Sequence, residues 1–215
     1  MGLLFTNVPG FRAHVVLESG TPPHPLAEGE LMGQGGKLVF VPTLNKAALK
    51  RSPAAASAFI WDVPARSGCI LSGPMQAYAP LDSKVQFTNF VSSPTPAPAA
   101  PVRIDGRLCQ SADAIITASD GSLTSYRFWR AADLNNLPLR VTCVSAAAPT
   151  TLTLSKARLE SQPNDLFQPP NGFTKYESAQ ALTRELLVRH DSLKRRPAYT
   201  PEDGEIGTSF NPPPR

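Results

Sequence analysis

Cysteine and histidine are the residues of this 215-residue chain that could do the most distinctive chemistry, and their spacing limits what that chemistry is. The cysteines are Cys69, Cys109 and Cys143, and the histidines are His14, His24 and His190. No two cysteines stand in a Cys-x-x-Cys spacing, and the histidines are far apart in sequence. Metal ligands of these types recur at short fixed spacings, so we expect no zinc site, no other metal centre and no cofactor.

The pairing state of the cysteines has two readings. One disulfide could form in an oxidising compartment, leaving the third thiol free. If residues 105–144 form the meander described below, Cys143 lies opposite Tyr126, whereas Cys109 lies beyond the other hairpin, so these two are not neighbours. We therefore favour buried thiols that act as small hydrophobic side chains, with a single disulfide as the alternative.

Catalytic signatures were sought and are absent from the sequence. It contains no Gly-x-Ser-x-Gly, His-Glu-x-x-His, Walker A or Gly-x-Gly-x-x-Gly motif. The acids Asp105, Asp113, Asp120 and Asp133 are scattered over turns and strand ends, where capping or solvation explains them, and aromatic residues make up only 7% of the chain. We predict a protein that is not an enzyme and has no catalytic residues, and a stacking platform for sugars or bases is also disfavoured.

The stretch from Asp105 to Val144 predicts three strands and two turns, and the rest of the fold is organised around it. Residues 114–118 and 123–129 are rich in β-branched and aromatic residues, and Asp120-Gly121 between them tolerates the positive φ of a tight hairpin. A second turn at residues 134–138 leads into a third strand at residues 139–144.

Further strands are predicted on both sides of this meander, from alternating apolar residues bounded by turn residues. Gly35-Gly36 joins two of them in a two-residue turn. The predicted strands cover residues 11–18, 29–34, 37–41, 58–63, 69–72, 84–91 and 151–159. Residues 44–51 favour one or two helical turns only slightly over a loop.

Composition favours one folded domain with an extended tail. Hydrophobic residues make up 41% and charged residues 18%, so the body can bury a core, while the 23 prolines must occupy loops and sheet edges. The Pro-rich segment 92–101 could divide two domains, but both halves carry the same hairpin pattern. We predict a single domain over residues 1–196, with 92–101 as an internal loop, and a Pro-rich, extended or disordered tail over residues 197–215.

The C-terminal region predicts an amphipathic helix from an N-cap at Ser178 to about Leu193. Its apolar stripe and the aromatic residues of the preceding bend are the candidates for a ligand site or lid, namely Leu182, Leu186, Leu193, Phe173 and Tyr176. The helix either covers an open sheet as plain packing or closes a ligand groove as a lid. In the tail, Tyr199 and Phe210 are candidate partner-binding residues.

The net charge argues against a nucleic-acid partner, and the hydropathy argues against a transmembrane span. The net charge is only +4, and much of the excess lies in Lys194-Arg195-Arg196 and Arg215, so we expect no nucleic-acid groove. No run of 18 or more apolar residues exists, so we expect no transmembrane span of its own.

The order of these hairpins resembles the LolA-like proteins of the bacterial cell envelope, in particular a poorly characterised branch of that lipoprotein-carrier-like superfamily. The matching motifs are Gly29-Glu30-Leu31, Asp105 to Cys109, Arg127-Phe128-Trp129 with Leu137 to Arg140, and Asp165 to Tyr176. The resemblance covers residues 10–180. It implies a mainly β fold with minor α, in which a strongly curved antiparallel sheet forms an incomplete β-barrel with helical segments across its open concave side.

The resemblance also implies a function and a location. We expect a non-enzymatic protein of the periplasm or outer cell envelope that binds a lipid, a lipoprotein acyl chain or another apolar group in the concave face of the sheet. The Ala- and Pro-rich loops, the long tail and the terminal helix depart from the carriers. The alternative is therefore a structural or accessory subunit that docks through its tail and sheet edges onto a larger, possibly membrane-bound, protein assembly.

Overall fold

A computed structural model describes residues 2–43, 56–81, 87–93, 100–118, 121–144 and 148–195. The predicted tail with Tyr199 and Phe210, the possible helical turns at 44–51 and most of the Pro-rich segment 92–101 lie outside these residues.

The strands are β1 (Phe11–Ser19), β2 (His24–Gln34), β3 (Lys37–Pro42), β4 (Ala58–Asp62), β5 (Ser67–Ser72), β6 (Ala77–Pro80), β7 (Phe87–Ser93), β8 (Val102–Ile104), β9 (Arg107–Ala118), β10 (Leu123–Ala131), β11 (Leu137–Cys143), β12 (Thr150–Leu159) and β13 (Thr174–Lys175). Within the described residues, the α-helix α1 (Ala179–Arg195) follows the strands, and short 3-10 helices cover Gly2–Phe5, Ala132–Leu134 and Asn164–Phe167.

The described strands form one large curved sheet that does not close on itself. Their order is β13-β6-β5-β4-β3-β2-β1-β12-β11-β10-β9-β7, with β8 paired to β9. Every pairing is antiparallel except the two-residue contact of β13 with β6. The mainly β class, the curved open sheet and the C-terminal helix are confirmed. Among the described residues, no helix combines the length and apolarity that a membrane span requires.

The central meander is confirmed in its register as well as its strands. β9 pairs with β10 and β10 with β11, and Tyr126 lies opposite Cys143 as predicted. The second turn is made by Asn135 and Asn136, both with positive φ, which asparagine tolerates better than most residues.

Cys69, Cys109 and Cys143 form no disulfide, as favoured from the sequence, although Cys143 is only partly buried. Cys69 and Cys109 are buried, and burial raises the pKa of both thiols, because the thiolate would be poorly solvated. Both thiols are therefore protonated near neutral pH and pack as small hydrophobic groups.

Three short strands were not expected from the sequence. β6 lies between the predicted strands 69–72 and 84–91, β8 directly follows the internal loop predicted over residues 92–101, and β13 lies in the bend before the C-terminal helix. Strands of two to four residues are too short to show an alternating pattern, and their ladders depend on neighbours distant in sequence.

The main hydrophobic core lies on one side of the sheet, which we call the inner face. It is filled by alternate residues of β1, β2 and β9 to β12, including Phe11, Ala13, Val15, Leu31, Ile116, Phe128, Val141 and Leu154. The N-terminal segment contributes Leu4, Phe5 and Val8, and the Phe5 ring stacks on Phe11 at 5.8 Å. The other side of β1 and the first part of β2 are polar, with ion pairs from Arg12 to Glu30 and from His14 to Glu28. His14 is thus a side chain on the sheet surface.

Two glycines of β2 allow aromatic rings to lie flat on the inner face. A Cβ on Gly33 would come within 2.3 Å of the Phe11 ring, and one on Gly29 within 2.8 Å of the Phe40 ring. Glycine therefore gives space to side chains of the neighbouring strands, an arrangement that also covers the glycine backbone.

Gly29→Ala is expected to destabilise the protein by about 2–3 kcal/mol, because the new methyl group would lie 2.2 Å from the carbonyl oxygen of Val41 and must push β2 from β3. Gly73→Ala is the matched control, since its Cβ meets nothing within 4 Å. Urea unfolding of both variants measures the difference. Equal midpoints for the two variants would contradict this account of the β2–β3 pair.

Candidate functional site

The candidate site is the inner face of β4, β5 and β6, where α1 lies across the sheet. Strand register arranges this floor in rows that run across the three strands. One row joins Phe59, Ile70 and Ala79, and a second joins Ser72 and Ala77. We call this floor and the helix above it the helix-covered slot. It is separated along the sheet from the central core under the N-terminal segment.

Two leucines hold α1 against the slot. Leu182 is fully buried and Leu186 is 6% exposed, and both belong to the apolar cluster that contains Ile70, Ala77 and Ala79. The opposite side of the helix is open to solvent, with Leu187 44% and Val188 55% exposed.

The helix is secured locally at its start and on its exposed face. It begins where predicted, because the Ser178 hydroxyl accepts a hydrogen bond of 3.1 Å from the backbone N–H of Ala181. Arg189 pairs with Glu185 one turn earlier, at 2.8 Å, a spacing that stabilises helices.

One end of the slot is aromatic and half open. The Phe59 and Trp61 rings stack at 5.5 Å with an interplanar angle of 10°, and Trp61 is 37% exposed. The indole has room because the residue across from it is Gly68, where a Cβ would lie 3.1 Å from the ring. A ligand entering at this end would meet flat apolar surfaces.

The other end of the slot is polar and buried. Ser72 and Ser57 are each only 2% exposed. Ser57 directly precedes β4, and because Ala58 pairs with Leu71, continuing the register places Ser57 beside Ser72. The slot therefore runs from buried hydroxyls at one end to a half-exposed indole at the other.

The opposite face of these strands is covered independently of the helix. Met32, Val39, Ile60 and Cys69 pack there against Phe167. Phe167 ends the short 3-10 helix Asn164–Phe167, which places its ring on this face. The floor of the slot is thus supported from behind and does not depend on α1 for its shape.

An open groove of about 740 Å³ lies at the turn between β8 and β9, away from the helix-covered slot. In this groove Asp105 accepts a 2.6 Å hydrogen bond from the backbone N–H of Lys156, and Arg107 pairs with Asp133. The Asp105 contact holds the β8–β9 turn against β12. Within the described part of the chain, no group of three or more metal-ligating side chains occurs.

Comparisons with known proteins give no family. No protein-family model matches the chain, and no curated protein does. Several solved structures are similar in part, among them these three. PNGF-II has 10% identity and a TM-score of 0.46 over 84% of this chain, which spans only 33% of the length of PNGF-II. A DUF1329 family protein from Desulfovibrio piger has 9% identity and a TM-score of 0.40, over 78% of this chain and 92% of that one. The Mycobacterium tuberculosis lipoprotein LppX has 13% identity and a TM-score of 0.40, over 74% of this chain and 91% of that one.

At this level of similarity the function must be inferred from the chain's own residues. Membership of the LolA-like superfamily stays a prediction.

The structure brings together three of the residues predicted for the site. Leu182, Leu186 and Tyr176 lie in the cluster around the slot. Phe173 is half-buried, outside that cluster. Leu193 belongs to α1, but its side chain lies outside the described residues, as do Tyr199 and Phe210.

Sequence reasoning missed the floor of the slot. Ala77, Ala79 and Ser72 have small side chains that give no apolar signal, and their role comes from the register of short strands. Trp61 offered a signal, since its aromatic ring alternates with Phe59 in a predicted strand, but the sequence did not show which face of the sheet would be covered.

Proposed function

We propose that this chain is a non-enzymatic binding protein that holds a lipidic or otherwise apolar group on the inner face of its sheet, in the helix-covered slot. The observation that carries the proposal is the way α1 is held there. Two leucine side chains rest on a floor of alanines, and the helix side opposite them is solvated. An alkyl chain that lay on the same floor would replace these leucines with groups of the same chemistry.

The energy of the helix contact is of a size that a ligand can match. Burying a leucine side chain contributes about 1.5–3 kcal/mol, so the two leucines contribute roughly 3–6 kcal/mol before the cost of ordering the helix. A chain of several methylene groups, at about 0.8 kcal/mol each, reaches the same range. The slot can therefore exchange its own side chains for an acyl chain without loss of the sheet.

The shape of the floor also favours such an exchange. Alanine side chains leave the floor shallow and smooth, so a flexible chain can lie along it in many conformations. The half-exposed end at Trp61 gives a route of entry that does not require the sheet to open. In this proposal the protein works in the periplasm or outer envelope, where the apolar group is a lipid or the acyl chain of a lipoprotein.

Native mass spectrometry with lipid extraction tests the proposal on the full-length protein purified under mild conditions from its own organism. We expect a bound acyl lipid near one molecule per chain. A lipid-free protein that also fails to take up an added acyl ester would contradict the proposal.

A second candidate is the accessory-subunit function, and one observation favours it. The central inner face is already filled by the protein's own side chains, including Leu4, Phe5 and Val8 of the N-terminal segment. A fixed core of this kind suits a subunit that binds partners with its outer surfaces, where Leu123 and Val144 are exposed. Deleting residues 197–215 separates the two functions, because a carrier keeps its lipid whereas a tail-docked subunit loses its co-purifying partners.

A further inference from the structure

The hydroxyl of Ser57 stands out among the buried polar groups of the protein. The residue is 2% exposed, and its Oγ has no hydrogen-bond partner within the described part of the chain. Burying a hydroxyl without a partner is unfavourable, and the great majority of buried polar side chains in proteins are paired. A buried donor without a partner at the end of an apolar slot is therefore a candidate to hydrogen-bond with a ligand.

The position of Ser57 relates it to the slot. Continuing the β4–β5 register by one residue places Ser57 beside Ser72, which pairs with Ala77 under the helix. Ser57 directly precedes β4, and the four residues from Ser57 to Trp61 span roughly 13 Å of extended chain. The free donor and the half-exposed indole therefore mark the two ends of one elongated site.

The slot is apolar, and the described ions beside it on α1 are already paired. Its apolar cluster includes Phe59, Ile70, Ala79 and Leu182. On the helix, Glu185 pairs with Arg189, and His190 pairs with Asp191. A carboxylate or phosphate pushed to the Ser57 end would lose its hydration, and neither of these helix ion pairs offers it a free cation.

We infer that the ligand of the helix-covered slot is a neutral amphiphile, such as an acyl ester, whose carbonyl oxygen accepts a hydrogen bond from the Ser57 hydroxyl while its alkyl chain runs toward Trp61. This inference rests on the proposed function and adds the ligand's class and orientation. Ser57 thereby selects esters over hydrocarbons of the same length, and the uncharged slot selects esters over free fatty acids.

Ser57→Ala tests the inference in the full-length protein, with Ser67→Ala as the control, an exposed serine in the same region of sheet. Displacement of the neutral fluorescent probe N-phenyl-1-naphthylamine gives the affinities for methyl laurate, laurate and dodecane. Losing one neutral hydrogen bond is expected to weaken methyl laurate binding about 3- to 10-fold in Ser57→Ala, and dodecane binding is expected not to weaken. Removing the unpaired donor is also expected to raise the melting temperature of the free protein by about 2–4 °C.

The outcomes distinguish this inference about Ser57 from the proposed function, apolar binding in the slot, on which it rests. If methyl laurate and dodecane both bind and Ser57→Ala alters neither affinity, or alters both equally, the role of Ser57 is overturned while apolar binding stands. Laurate binding as tightly as its methyl ester at neutral pH overturns the neutral class. If none of the three displaces the probe, the proposed function falls and this inference falls with it.

Discussion

Replacing Leu182 and Leu186 together with aspartate is expected to release α1 from the sheet while the sheet stays folded. Both leucines are buried in the native protein, and each new carboxylate would be desolvated against Ile70 and the alanine floor. Loss of roughly 3–6 kcal/mol of leucine burial corresponds to more than a hundredfold shift toward the detached helix. The sheet keeps its own core under the N-terminal segment and its packing around Phe167, neither of which includes the helix.

Hydrogen exchange followed by mass spectrometry measures this result. Amides of residues 179–195 should lose protection in the double variant, while those of β1, β9 and β10 keep it. The matched control is Leu187→Asp with Val188→Asp, the same chemistry on the exposed side of the same helix, which should leave protection unchanged. If the Leu182 and Leu186 variant unfolds as a whole, the helix is an integral part of the fold and the account of a replaceable cover is wrong.

The second large effect is expected at the N-terminal segment. Phe5→Ala should destabilise the protein by about 3–5 kcal/mol, because Phe5 is 3% exposed and its ring stacks on Phe11 in the central core. The cavity would be walled by Phe11, which lies on Gly33 and has little room to move. The segment itself contributes few backbone hydrogen bonds to the fold, so its attachment depends on such side chains.

Chemical denaturation of Phe5→Ala gives the free energy of unfolding, and Leu123→Ala is the control. Leu123 is 63% exposed, so its truncation should cost less than about 0.5 kcal/mol. A loss below about 1 kcal/mol for Phe5→Ala would mean that the N-terminal segment is not part of the core. The central inner face would then be open to a ligand, and the slot would no longer be the favoured site.

The sequence predicted those parts of the fold that are determined by local pattern. Alternation gave the long strands, Gly35-Gly36 and Asn135-Asn136 gave their turns, and Ser178 gave the start of the helix. The turn between β10 and β11 fixed their register, so the pairing of Tyr126 with Cys143 could be predicted. These features depend on residues close together in the chain, which is why single-sequence reasoning reached them.

The site was predictable only on its helical side. Leu182 and Leu186 follow the period of an amphipathic helix, so their burial could be anticipated. The floor is assembled from strands β4 to β6, where Ser72 meets Ala77 by register alone. Ser57 gave no signal, since a serine before a strand is ordinarily solvated, and only its burial without a partner distinguishes it.

The measurement that tests the central claim most directly places the ligand within the protein. The chain has two tryptophans, Trp61 at the open end of the slot and Trp129, which alternates with buried Phe128 on the distant strand β10. Trp129→Phe leaves Trp61 as the only indole, and Trp61→Phe leaves Trp129. An acyl methyl ester brominated near the end of its chain quenches an indole that it contacts.

We predict saturable quenching of Trp61 with an end point near one equivalent of ester, and little quenching of Trp129 under the same conditions. Equal quenching of both indoles, or none at Trp61 while the ester demonstrably binds, would contradict binding in the helix-covered slot.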